Sequence, residues 1–98
     1  MDMMVQVIIR GKVQGVGFRG WAEITALELG LEGWVRNRRD GTVEVLLAGP
    51  EETVLTMLEL CRDGPPGASV EAVDQNDAGP DGLALRRSGE LFSVLVSA

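Results

Sequence analysis

Gly11-Lys12-Val13-Gln14-Gly15-Val16-Gly17-Phe18-Arg19 is the stretch whose reading decides the fold. Before it, Val5, Val7 and Ile9 alternate with Gln6, Ile8 and Arg10, the period-two pattern of a strand over residues 4–10. After it, Phe18, Trp21, Ala22, Thr25 and Leu29 fall close to one helical face, with Glu23 and Glu28 outside. That spacing predicts a helix from Phe18 to Leu29, stopped by Gly30. The glycines therefore occupy a strand-to-helix turn, where they allow positive φ and close approach of a ligand. Such a turn can point several N–H groups at one anion. Arg19 falls in the first helical turn, where the macrodipole disfavours a cation; an anion sharing the site would explain it. Taken alone, the stretch also reads as an ordinary turn, with Arg19 paired to Glu23 four residues on.

Working outward, Leu31–Asn37 and Thr42–Ala48 read as two further strands. Arg38-Arg39-Asp40-Gly41 joins them as a hairpin with Asp-Gly turn chemistry. Val43, Val45 and Leu47 alternate with Thr42, Glu44 and Leu46, which predicts one buried face. Gly49-Pro50-Glu51-Glu52 opens a second helix, with Pro50 at the first helical position and two acids at the positive end. Val54, Met57 or Leu58, and Cys61 recur at core spacing, and Gly64-Pro65-Pro66-Gly67 ends the helix. Ser69–Asp74 is a weaker fourth strand. Asp77–Gly89 reads mostly as loop, with Leu83-Ala84-Leu85 either a short strand or a lid. Phe92, Val94 and Val96 alternate as a final strand. This order predicts an α+β fold: a ferredoxin-like α/β sandwich, βαββαβ with a short additional C-terminal strand, two helices on one face of an antiparallel sheet. Residues 1–98 are expected to form a single domain.

Charge is uneven along the chain. Residues 1–39 carry +2, from Arg10, Lys12, Arg19, Arg36, Arg38 and Arg39 against four acids; residues 40–98 carry −8. A small anion finds the first half attractive. A long polyanion is repelled elsewhere, so no nucleic-acid partner is expected. No apolar run approaches the roughly 18 residues of a membrane span, and Asp2 argues against a signal peptide, so a cytoplasmic protein without a membrane partner is expected. Cys61 is the only cysteine, which suits a reducing compartment. The absence of histidine removes Ser-His-Asp and Cys-His catalysis and the usual imidazole metal sites.

Val13-Gln14-Gly15-Val16-Gly17-Phe18-Arg19, followed by Gly33-Trp34-Val35-Arg36-Asn37 and Asp40-Gly41-Thr42-Val43-Glu44, resembles the acylphosphatase family in motif order and spacing, over about residues 4–76. The resemblance implies a small, cofactor-free and metal-free hydrolase that splits an acyl phosphate into carboxylate and inorganic phosphate. Gln14, Gly15, Val16, Gly17 and Phe18 match the family's phosphate-cradling loop, Arg19 its phosphate-binding arginine, and Asn37 the asparagine that orients the attacking water. By itself Asn37 stands before a turn, where asparagine often caps its own backbone. Lys12, Arg36, Arg38 and Arg39 read as solvated, and Trp21 as a ring that can shape the acyl side of the pocket. A monomer is expected. Two other readings stand beside this one: a non-catalytic small-anion-binding or regulatory module on the same fold, and a carbamoyl-phosphate-handling domain like those opening large hydrogenase-maturation proteins.

Overall fold

Alternation in the first strand decides where the layers meet. Val5, Val7 and Ile9 are fully buried, and they lie beneath two helices in the core. A computed structural model describes residues 1–98. The elements are β1 (Asp2–Lys12), α1 (Phe18–Glu28), β2 (Glu32–Asn37), β3 (Val43–Pro50), α2 (Glu51–Asp63), β4 (Ser69–Asp77), a 3-10 helix (Pro80–Leu85) and β5 (Phe92–Val94). Phe18, Ala22 and Ala26 of α1, and Val54, Met57, Leu58 and Cys61 of α2, close over Val35, Val43, Val45 and Leu47 of the sheet. Each fully buried Val, Leu or Phe contributes about 1.5–3 kcal/mol. The exposed Arg10–Asp74 pair at 2.9 Å belongs to a class worth about 0–1 kcal/mol, so the apolar core decides the fold. Burial pushes the Cys61 thiol up to about 12, which leaves it a neutral core side chain. No helix is long and apolar enough to cross a membrane.

The sheet order is β4-β1-β3-β2-β5. One expectation needs correction: the sheet is not wholly antiparallel, because β5 pairs parallel to β2 through Gly33↔Phe92 and Val35↔Val94. β1 and β2 are not neighbours, since β3 lies between them. β3 runs antiparallel to both, so β1 and β2 run parallel and their C-terminal ends fall at the same edge of the sheet. That edge collects the glycine loop and Asn37 without strand adjacency.

Residues 78–91 are irregular, as expected, except for the 3-10 helix, and Leu83-Ala84-Leu85 end that helix instead of forming a strand or a lid. The segment crosses the outer face of the sheet from β4 to the β2 edge as a strap containing the 3-10 helix. The Trp34 indole Nε1–H donates to the Gly82 carbonyl at 2.7 Å, and Arg86 reaches Glu32 at 3.0 Å. The strap helps to bury β3 on both faces instead of one: Leu46, against Gly82, is nearly as buried as Leu47, and Glu44 on the same face is buried too. Glu44 is satisfied there by Gln6 at 2.6 Å and Arg36 at 2.7 Å, as a buried carboxylate must be. Gly33 has φ +150, and a Cβ on it would collide with the Leu46 carbonyl, so glycine lets β2 and β3 approach. Smaller departures sit at boundaries. β4 runs on to Asp77, β5 stops at Val94 instead of Val96, and Pro50 is the N-cap of α2 rather than its first residue.

Candidate active site

The glycine loop leaves β1 after Lys12 and turns into α1 through two left-handed residues, Gly15 (φ +75) and Gly17 (φ +79). A Cβ at either would meet nothing within 4 Å. Backbone angle, not crowding, therefore requires glycine there. Gly17 is the N-cap of α1 and offers no side-chain cap, and the first turn holds no acid. None of the N–H groups of Gln14, Gly15, Val16 and Gly17 donates to an acceptor in the protein, and the first helical bond begins at Trp21, to Gly17 O at 3.0 Å. The loop and the orphan donors of the first helical turn form an unneutralised positive end.

Arg19 and Asn37 line one cavity of about 320 Å³ together with Gly15, Gly17, Gly20, Val13, Phe18 and Val94. Arg19 is half-buried, and Nη1 reaches the Leu95 carbonyl at 3.5 Å. It forms no ion pair with Glu23, so that reading of Arg19 is not realised. Asn37 ends β2, paired with Val43. Its backbone carbonyl accepts from Ala98 N at 2.9 Å, while its side-chain amide has no protein partner; the turn-capping reading therefore fails as well. The turn is capped by Asp40, whose Oδ1 accepts from Thr42 N at 3.0 Å and Thr42 Oγ1 at 2.6 Å. These bonds, with the Arg38 charge nearby, hold the Asp40 carboxyl below its usual range.

A family model for acylphosphatase matches residues 5–84 of the chain. The chain belongs to the acylphosphatase family. A curated acylphosphatase from Bradyrhizobium diazoefficiens is 59% identical over 92 residues, covering 94% of this chain and 93% of that one. The crystal structure of the Bacillus subtilis acylphosphatase superposes with a TM-score of 0.81 at 33% identity, covering 97% of this chain and 99% of that one. The structure of full-length HypF also reaches a TM-score of 0.81, but at 21% identity and over 12% of its length; that likeness is one of fold. Acylphosphatase relatives at this identity make the protein an enzyme acting on acyl phosphates.

Within this acylphosphatase the sequence missed two parts of the site. The part-buried Gln14 does more than sit in the loop: its Nε2 donates to Arg38 O at 2.7 Å and Thr42 O at 2.8 Å. It clamps the loop to the turn that follows Asn37. The tail is the second part. Leu95 N donates to Val35 O at 2.8 Å, and Arg39 N to Ala98 O at 2.9 Å, which brings Val94 into the cavity wall and Leu95 O to Arg19. Gln14 was marked only as polar, its clamp partners lying 24 and 28 residues away, and nothing local marked the tail. Trp21 does not line the cavity. It stacks edge-on against Phe18, with centroids 5.3 Å apart at 67°.

Proposed function

We propose that residues 1–98 act as one domain that hydrolyses the carboxyl–phosphate bond of small acyl phosphates, with Arg19 and Asn37 as catalytic residues and Gln14–Phe18 as phosphate cradle. The observation that carries this reading is the convergence on one cavity of unpartnered loop N–H groups, a guanidinium and an unpartnered amide. The phosphoryl group carries charge spread over its oxygens, so positioning and electrostatic stabilisation supply most of the catalysis. Loop N–H groups take some of the oxygens, and the planar fork of Arg19 takes two more. Asn37 holds a water in line with the phosphorus through its side-chain amide, but it is too weak a base to deprotonate that water. A phosphate oxygen of the substrate accepts the proton instead. The leaving carboxylate has a pKa near about 4, so it departs without a general acid. The chemistry therefore requires neither metal nor covalent intermediate. A monomer in the cytoplasm is proposed with this activity, the buried free thiol of Cys61 suiting a reducing compartment.

The test is hydrolysis of benzoyl phosphate by purified protein in excess chelator, beside Arg19→Ala shown to be folded by circular dichroism. Turnover that survives chelation and falls by about 10³-fold or more in the variant is expected, the scale set by arginines that stabilise phosphoryl transfer. Folded wild-type protein without turnover would favour the anion-binding module. Equal rates in the two proteins would remove Arg19 from the mechanism.

A further inference from the structure

Gly20 sits in the third position of α1, has an ordinary helical φ and lines the substrate cavity. Neither backbone geometry nor packing asks for glycine there, because a Cβ would meet nothing within 4 Å. Glycine is the poorest helix former after proline. The third position also favours Glu or Gln, which can cap the helix start. The smallest residue, and a poor helix former, therefore stands where a larger one would fit and would strengthen the helix.

The reaction geometry supplies a reason. This step rests on the acylphosphatase reading above. An in-line displacement sends the acyl group away from the water held at Asn37, and the glycine loop is occupied by phosphate oxygens. The remaining wall of the cavity is the first turn of α1 and Val94. Of the three apolar lining residues, Val13 and Phe18 are 1% and 2% exposed, so neither offers surface to an acyl group; Val94 is half-buried. One helical turn beyond Gly20, Ile24 is 60% exposed. We infer that Gly20 is a specificity-determining residue: it keeps open the gap through which the substrate's acyl group leaves the phosphate cavity, along Val94 and toward Ile24. The open gap admits bulky acyl groups, including aromatic ones, and its width sets the upper size of the substrate.

The experiment compares kcat/KM for acetyl phosphate and benzoyl phosphate in wild type, Gly20→Ala and Gly20→Leu, with Tm measured for each. Gly20→Leu is expected to lower the benzoyl-to-acetyl ratio by about tenfold, the scale on which pockets discriminate small apolar groups. Gly20→Ala is expected to lower the ratio less while raising Tm by a few degrees. A ratio within twofold of wild type in a folded Gly20→Leu overturns the inference, and so does failure of that variant to fold, which would contradict the open space. A wild type inactive on both substrates overturns instead the activity on which the inference rests.

Discussion

The two helices begin in opposite ways. α1 starts behind Gly17, without a side-chain cap or an acid in its first turn, and carries Arg19 there. α2 starts behind Pro50 with Glu51 and Glu52 in its first turn, and its Glu51 N–H donates to Met1 O at 2.9 Å. Each start adjoins a cavity of similar size, about 320 Å³ at α1 and about 330 Å³ at α2. Volume does not tell them apart. The α2 start is neutralised by its own carboxylates and serves stability. The α1 start is left positive, strengthened by a guanidinium, and bordered by an amide with no partner. A helix forfeits stability when its positive end is left bare, and the proposed phosphate cradle gives that sacrifice a use.

The comparison can be broken outright by giving α1 the acid that α2 has. Arg19→Glu should leave the fold intact, with Tm within about 5 °C of wild type. It should reduce kcat/KM for benzoyl phosphate by about 10³-fold or more, since it replaces the phosphate's cation with a like charge. A variant that stays active would show that the charge at this helix start is irrelevant. The next largest effect is expected at Asn37. Asn37→Ala should lower kcat by about 2.7–4 kcal/mol in barrier terms, the usual scale for one positioned donor, with KM little changed. A rise in KM alone would assign Asn37 to binding and not to the water.

Gln14→Ala sharpens the contrast at its mechanical level. The carbonyls of Arg38 and Thr42 keep backbone partners, Gly41 N at 3.1 Å and Arg38 N at 2.9 Å. Losing the clamp should therefore cost only about 1–2 kcal/mol of stability, two ordinary hydrogen bonds. Because the clamp holds the turn next to Asn37, kcat should fall, by less than in Asn37→Ala. Chemical denaturation together with steady-state rates separates the two effects, and unchanged kcat would make Gln14 purely structural. The smallest effect belongs to α2. Replacing Glu51 and Glu52 by Gln should cost about 0.3–1 kcal/mol per residue and leave kcat/KM within twofold. Lost activity there would mean that the two helix starts are not independent.

Local residues foretold much of the site. Glycines at positive φ, an arginine in the first helical turn and an asparagine ending a strand are each set by local backbone chemistry, and all three are where the sequence placed them. Gln14 was legible only as a polar residue, because its partners lie 24 and 28 residues away. The strap was illegible for a similar reason. Gly79, Pro80 and Gly82 mark irregular backbone, but the Trp34 and Leu46 surfaces they cover belong to other strands. The parallel pairing of β5 follows from that crossing, and three residues, Phe92–Val94, are too few to declare a direction.

The sequence by itself determined the element order, the helix-facing half of the core, the glycine turn and the positions of Arg19 in the first helical turn and Asn37 at a strand end. All of these depend on period, backbone angle or side-chain chemistry within a few residues. Only the tertiary structure decided that β3 separates β1 from β2 while leaving their ends together. It also decided that the outer sheet face is covered, that Gln14 ties two loops, and that the C-terminal tail reaches Arg19. These features depend on which distant surfaces exclude water from one another. Burial is non-directional, so the chain's pattern shows which surfaces must be covered but not which segment covers them.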